Sequence, residues 1–369
     1  MMRKLLIVVL VAGMMPSFVI AQKWHVKPTL EYKTVYEFSE GMARVKTNDG
    51  KWGFINTQGK EIAAPKFEDA KDFSNGMASV KLNGKFGYID KTGKMVIEPQ
   101  YDQGFHFRNG IAKVRKGLWG FIDKRNKVVV RFKYAGLEYM YNGVAAAKLR
   151  GKWGFIDRKD RALVDFRYEQ VMSFYDKNAQ WTPVKKDGKW GYIDRTGQEK
   201  TPFEYDYAWP FQDGISGAQL GKKWLFINSQ GRRITKAKYQ EAGWFTDGLG
   251  KIRFDGKRGF INKTGKVVIP TKYQSVWSFA DGLCFVKKDD KWGAINKKGE
   301  TVIPHKFDFA YQFHEGLALV RMNGKRGHTD KKGKLVIPCK FESASEFNKG
   351  YAVAKLNGKW GILKNPLKK

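Results

Sequence analysis

Short apolar runs alternate with glycine-bearing turns along nearly the whole chain. A typical stretch is Ala78-Ser79-Val80-Lys81, then Leu82-Asn83-Gly84, then Lys85-Phe86-Gly87-Tyr88-Ile89-Asp90. Runs this short, rich in β-branched and aromatic residues, read as strands. Asn-Gly between two of them predicts a type I′ hairpin, because both central residues need positive φ. Asn323-Gly324 and Asn357-Gly358 repeat the signal, with Asp187-Gly188 and Asp255-Gly256 as equivalents. A second turn runs from Asp90 to Gly93, and Asp or Asn begins it in nine of ten units. The third run is short: Met95-Val96-Ile97, Val267-Val268-Ile269 and Leu335-Val336-Ile337. Each unit is expected to be a three-stranded antiparallel meander, followed by a looser connection.

The units repeat every 33 to 37 residues, most often 34. Their anchor glycines are Gly53, Gly87, Gly120, Gly154, Gly191, Gly259, Gly293, Gly327 and Gly361, with Leu225 standing in once. An aromatic follows each of the first nine anchors by 14 residues, from Phe67 and Tyr101 to Phe341. A large apolar residue follows by 20, from Phe73 and Phe107 to Phe347. Identity held at these positions while neighbours drift marks where packing dictates the residue.

In Trp153-Gly154-Phe155-Ile156 the two faces of the middle strand are both apolar. Each small sheet must therefore lie between two neighbours, with stability shared along the array. The anchor glycine is expected to leave room for a ring of the adjacent unit. The chain resembles the WG-repeat (KWG-repeat) family, through Lys51-Trp52-Gly53-Phe54-Ile55, Lys152-Trp153-Gly154-Phe155-Ile156-Asp157 and Lys189-Trp190-Gly191-Tyr192-Ile193-Asp194. The resemblance extends over roughly residues 25 to 369. It implies bacterial interaction modules and supplies no catalytic residues.

The expected architecture is all-β: about ten units of roughly 34 residues in an open or superhelical array, with a closed propeller-like ring as the alternative. An open stack would be on the order of 90 Å long, at ~10 Å per sheet. The two ends bear on this choice. Tyr32, Phe38 and Gly41 hold repeat positions without a preceding anchor, and the last unit stops before its third strand. His25 to Pro28 would supply that strand if the ring closes; otherwise both ends are caps.

Residues 1–21 have a basic start, an apolar core and a small residue at Ala21, the pattern of a secretory signal. The division is then 1–21 signal peptide, 22–41 amino-terminal partial repeat or cap, and 42–369 repeat array. The protein is expected to be exported, to the periplasm, cell surface or exterior, with no membrane span after cleavage, and to be a monomer.

Charge adds the main functional cue. The chain carries 69 Lys and Arg against 36 Asp and Glu, a formal +33. Lysine precedes the Trp position in nine of ten units: Lys51, Lys85, Lys152, Lys189, Lys223, Lys257, Lys291, Lys325 and Lys359. A second basic row ends the preceding strand, including Lys81, Arg115, Lys148, Lys185 and Lys355. In a regular array such rows become ladders suited to an anionic polymer, although lysines also guard exposed strand edges. Phe105, Trp209, Trp277 and Tyr311 share one repeat phase and are candidate aromatic contacts for sugars or peptides.

No catalytic constellation, metal site or cofactor motif emerges. His25, His106, His305, His314 and His328 share no repeat position and no metal spacing. The recurring Asp90, Asp123, Asp157 and Asp194 are explained by local bonding at turn starts. Cys284 and Cys339 lie at different repeat phases and are expected to be separate thiols. The sequence thus points to a non-enzymatic envelope or extracellular scaffold for an unknown protein or anionic polysaccharide. Nucleic acid suits the charge but not an exported protein. An enzyme with an unrecognised site is a further alternative.

Overall fold

The computed structural model of the chain describes residues 24–176 and 178–368; the expected signal peptide, 1–21, lies outside them. Ten antiparallel sheets follow one another along the described chain, eight of four strands and two of three. The first contains Thr34–Ser39, Met42–Lys46, Trp52–Asn56 and Glu61–Phe67. We number the sheets as blades 1 to 10 from this one, and the strands within each in order across the sheet, so that in blade 10 the fourth strand comes from the start of the chain. Blade 10 contains Ser343–Ala344, Tyr351–Leu356, Lys359–Lys364 and, from the other end of the chain, Trp24–Leu30.

Trp24–Leu30 pairs with Lys359–Lys364, Val26 opposite Ile362 and Leu30 opposite Trp360. The array is therefore a closed ten-bladed propeller, and the open stack about 90 Å long is overturned. The physical reason is visible in the core. Val35 and Phe38 of blade 1 pack with Val353, Trp360 and Ile362 of blade 10 in one buried cluster. The apolar flank that an open array would leave to water is buried instead.

The predicted turns are present. Asn83 and Gly84 have φ of 50° and 77°, as a type I′ turn requires. At the other turn, the Asp90 carboxylate accepts the amides of Thr92 and Lys94 at 2.8 and 3.1 Å. Asp123, Asp157 and Asp194 do the same in their blades. The three-strand expectation is corrected to four, because the looser connection holds another strand and another I′ hairpin, such as Asn109-Gly110 with φ of 50° and 78°. This first strand spans six residues in blades 1, 3, 7 and 9, and two in the others.

Every aromatic at the fourteenth position after an anchor is buried, as is every residue at the twentieth. Phe54 meets Phe73 of the next blade edge-on at 5.0 Å, while its neighbour Ile55 packs back on blade 10. The apolar strand with two buried faces is thus sandwiched as its sequence requires. The anchor glycine serves another purpose than the one expected. A Cβ on Gly53 would lie 2.7 Å from the Ala63 carbonyl oxygen and 2.8 Å from the Pro65 nitrogen. Those atoms belong to the fourth strand of the same blade, which crosses directly over the glycine. Blades 5 and 6 have only isolated bridges where a fourth strand would run, although blade 5 keeps its anchor as Gly191 and only blade 6 replaces it, with Leu225.

Candidate functional site

Because all blades share one orientation, the turns between second and third strands lie at one end of the ring. Eight of the nine row lysines begin third strands beside those turns, Lys51 stands one residue before its strand, and all nine are exposed. Closure gathers the expected ladder into a circle.

The circle is unevenly neutralised. Fifteen residues after most anchors stands a side-chain acceptor that caps the turn: Glu68 takes the Gly84 amide, Asp102 that of Gly117, Asp206 that of Gly221 and Asp308 that of Gly324. Several of these carboxylates also hold the row lysine. Lys85 meets Asp102 at 2.6 Å, Lys291 meets Asp308 at 2.6 Å and Lys189 pairs with Asp206, while Lys359 pairs at 2.7 Å with Glu31, which caps no turn among the described residues. The paired lysine and the capped amide both hold Asp102 and Asp206 below the usual carboxylate range, the lysine most strongly. After Leu225 and Gly259 the capping residue is an amide, Gln240 or Gln274. Lys223 and Lys257 therefore face no carboxylate there, and no ion pair holds them among the described residues. Part of the second basic row is occupied structurally, since Lys355 lies over the Trp360 ring at 5.8 Å and Lys81 over Phe86 at 5.9 Å.

Phe105, Trp209, Trp277 and Tyr311 are partly buried between blades. Phe105 and Tyr311 lie in first strands, and the other two just beyond them. Trp209 stacks on Trp224 at 6.0 Å with planes 16° apart, and Trp277 on Trp292 at 6.0 Å and 24°. The Trp277 indole donates to the Ala310 carbonyl of the next blade at 2.8 Å. Phe105, Trp209 and Trp277 each pack on the Trp position of their own blade, whereas Tyr311 packs on Phe309.

Between blades 6 and 8 that packing opens. A cleft of about 270 Å³ is lined by Trp209 and Trp224 of blade 6, by Glu241, Lys251 and Arg258 of blade 7, and by Val276 of blade 8. Glu241 bridges Arg253 at 3.0 Å and Arg258 at 3.1 Å. A larger cleft of about 560 Å³ opens near Tyr175, Phe211, Asp213 and Trp244.

A profile of the WG containing repeat matches ten consecutive stretches: 28–52, 52–86, 86–117, 119–153, 153–190, 190–224, 226–257, 259–292, 292–325 and 330–360. The chain belongs to the WG-repeat family. A comparison of this WG-repeat chain with curated proteins by sequence returns no match. Among solved structures, it resembles a crystal structure of the eukaryotic initiation factor, with a TM-score of 0.52 and 12% identity, covering 89% of this chain and 99% of that one. BamB from Moraxella catarrhalis gives 0.33 and 12%, covering 72% and 82%. AztD from Citrobacter koseri gives 0.36 and 12%, covering 80% and 91%.

Several groups of this WG-repeat ring were not singled out by sequence reasoning. One is the acceptor that caps the second-to-third turn. Another is the lysine that follows the turn-starting Asp or Asn in several blades and clamps adjacent blades at the opposite end: Lys91 to Glu40 at 3.3 Å, Lys263 to Asp213 at 2.7 Å, Lys331 to Asp281 at 3.1 Å. The recurrence of both was available in the repeat alignment; their partners were not. Among the described residues no cluster of His, Cys, Asp and Glu could hold a metal ion, and no helix is long and apolar enough to cross a membrane. Cys284 and Cys339 are free thiols, and burial pushes both up.

Proposed function

We propose that this protein is a non-enzymatic binding scaffold, working outside the cytoplasm, that holds an anionic polysaccharide at the lysine end of its ring. The observation that carries the reading is the circle of nine exposed lysines on one end, where Lys223 and Lys257 face an amide in place of the capping carboxylate. A circle of like charge concentrates positive potential over that end, and an extended polyanion can satisfy several blades at once. The apolar, basic start of the chain supports the extracytoplasmic address.

The test is retention on immobilised heparin against a rising salt gradient. Replacing Lys223 and Lys257 together by Gln should move elution to clearly lower salt. Replacing Lys85 and Lys189, each already paired with a carboxylate, should move it much less. Equal shifts for the two pairs, or elution of the unmodified protein at modest salt, would reject this surface and turn the search to protein partners.

A further inference from the structure

The middle of each second strand presents one side chain toward the next blade. In three blades it is a cation: Arg44, Lys113 and Lys251. Two of the three are fully engaged. Arg44 pairs with Asp72, donates to the Ala70 carbonyl at 3.0 Å and lies over the Tyr36 and Trp52 rings. Lys113 donates to the Leu137 carbonyl at 3.0 Å and sits 4.6 to 5.0 Å from the centres of the Phe105, Trp119 and Tyr139 rings.

Lys251 differs. Its ammonium finds no hydrogen-bond or ion-pair partner among the described residues, although it is partly buried. The cause is Gly243, which stands in the phase that holds Tyr36 in blade 1 and Phe105 in blade 3. A Cβ there would lie 2.8 Å from the Lys251 Cβ and 2.9 Å from its Cε. Losing the ring seats the lysine stem against bare backbone and opens the 270 Å³ cleft above it. Where most blades have an aromatic, blade 7 has Arg258, anchored by Glu241 and by the Gln274 carbonyl at 2.7 Å. The cleft therefore joins an indole wall, Trp209 and Trp224, to two cations and one carboxylate.

We propose that this cleft is a subsite for a carboxylated sugar, a uronic acid residue of the anionic glycan. A pyranose ring would lie against the Trp209–Trp224 wall. Its carboxylate would take the free Lys251 ammonium and the Arg258 guanidinium, and Glu241 would accept from ring hydroxyls. The volume lies just below the roughly 300–1,000 Å³ of drug-sized pockets and suits a single monosaccharide unit. The inference rests on the proposed function for its ligand class, but uses residues outside the exposed lysine circle.

The test is a ligand-observed NMR titration of the full-length protein with glucuronate, with methyl glucoside and adenosine monophosphate as controls, and with a heparin oligosaccharide to separate a free sugar acid from a polymer unit. Glucuronate should bind saturably and methyl glucoside far more weakly. Lys251→Gln should weaken glucuronate by about tenfold or more, the loss of a charge-assisted bond. Gly243→Leu should abolish binding, and Lys251→Gln keeps the test valid should the leucine disturb the fold. The Lys223 and Lys257 double variant should keep glucuronate while losing heparin at moderate salt. Equal glucuronate binding by the unmodified protein and Lys251→Gln would overturn the subsite, as would tighter binding of adenosine monophosphate. Heparin retained without any glucuronate binding would sink the subsite alone; glucuronate bound without heparin retention would sink the polysaccharide scaffold alone.

Discussion

The Val26 carbonyl of the closing strand crosses Gly361 of the last blade just as the Ala63 carbonyl crosses Gly53 in the first. A Cβ on Gly361 would meet the Val26 oxygen at 2.8 Å and the Trp24 ring at 2.5 Å. Closure thus reuses the crossing that builds a blade, with a strand from the far end of the chain.

Gly361→Val should therefore open the ring without unfolding the blades. The added side chain collides with backbone that cannot yield, an overpacking cost of about 2–3 kcal/mol. Limited proteolysis should cut first within residues 24–33, and small-angle scattering should show a larger particle. An unchanged scattering profile and no new cleavage there would contradict the closing role of Trp24–Leu30.

His328 stands where other blades place an aromatic, and it is fully buried. Its Nε2 lies 2.9 Å from the Ser345 carbonyl of the next blade. Tyr192 sends its hydroxyl to the matching Trp209 carbonyl at 3.0 Å. Burial lowers the His328 imidazole from 6.5 to about 4, opposed by the Ser345 bond. With the folded value depressed, the unfolded chain takes up a proton that the folded chain refuses. Stability is present above pH 6.5 and falls by about 3 kcal/mol as pH drops toward 4. His328→Tyr should remove that component and keep the carbonyl bonded. Chemical denaturation of both proteins between pH 7 and 4 reads the difference; parallel curves would refute it.

The turns and the double-faced middle strands were legible because each is decided within a few residues. Asn83-Gly84 and Asp90 act on their own backbone. Ring closure was not, because open and closed arrays need the same local pattern, and the outcome depends on small rotations summed over ten interfaces. The first strand was hidden for a related reason. In most blades only two residues pair, as at Asp69–Ala70, too few for alternation to show. The lysine row was visible, but its neutralisation was not, since Lys85 and Asp102 meet only once the fourth strand has turned back. The cleft had a trace in the sequence: Gly243 interrupts the phase of Phe105, Trp209, Trp277 and Tyr311. That the gap frees Lys251 depends on which blade face each strand presents.

Asp194 tests the turn-starting acids. Burial alone would raise its carboxyl, but Thr196, Lys200 and the amides of Thr196 and Gln198 outweigh that and bring it from 3.8 down to about 2. The depressed value means stability that is present above pH 4 and lost as pH falls toward 2. After solvent screening the contribution is about 1 kcal/mol. Asn56 and Asn262 make the same turn bonds through an uncharged oxygen. Asp194→Asn should therefore cost about 1 kcal/mol at neutral pH, chiefly the lost Lys200 pair, and nothing near pH 2. Melting curves at the two pH values separate charge from turn geometry; an equal loss at both would assign the whole effect to the turn.

Glu40 sets two opposing effects against each other. It occupies the left-handed region, φ 53°, where an ordinary side chain costs about 1 kcal/mol relative to glycine. Its carboxylate accepts the amides of both Asn75 and Gly76 in the next blade at 2.8 Å, and Lys91 approaches at 3.3 Å. Two charge-assisted bonds, one to an exposed and one to a partly buried amide, are worth about 3 kcal/mol together. Glu40→Gly relieves the backbone and removes the clamp, so the clamp should win by about 2 kcal/mol. Urea denaturation should show that net loss, and hydrogen exchange should show faster turnover of the Asn75 and Gly76 amides. A more stable Gly variant would mean that the backbone strain, and not the inter-blade clamp, dominates at this hairpin.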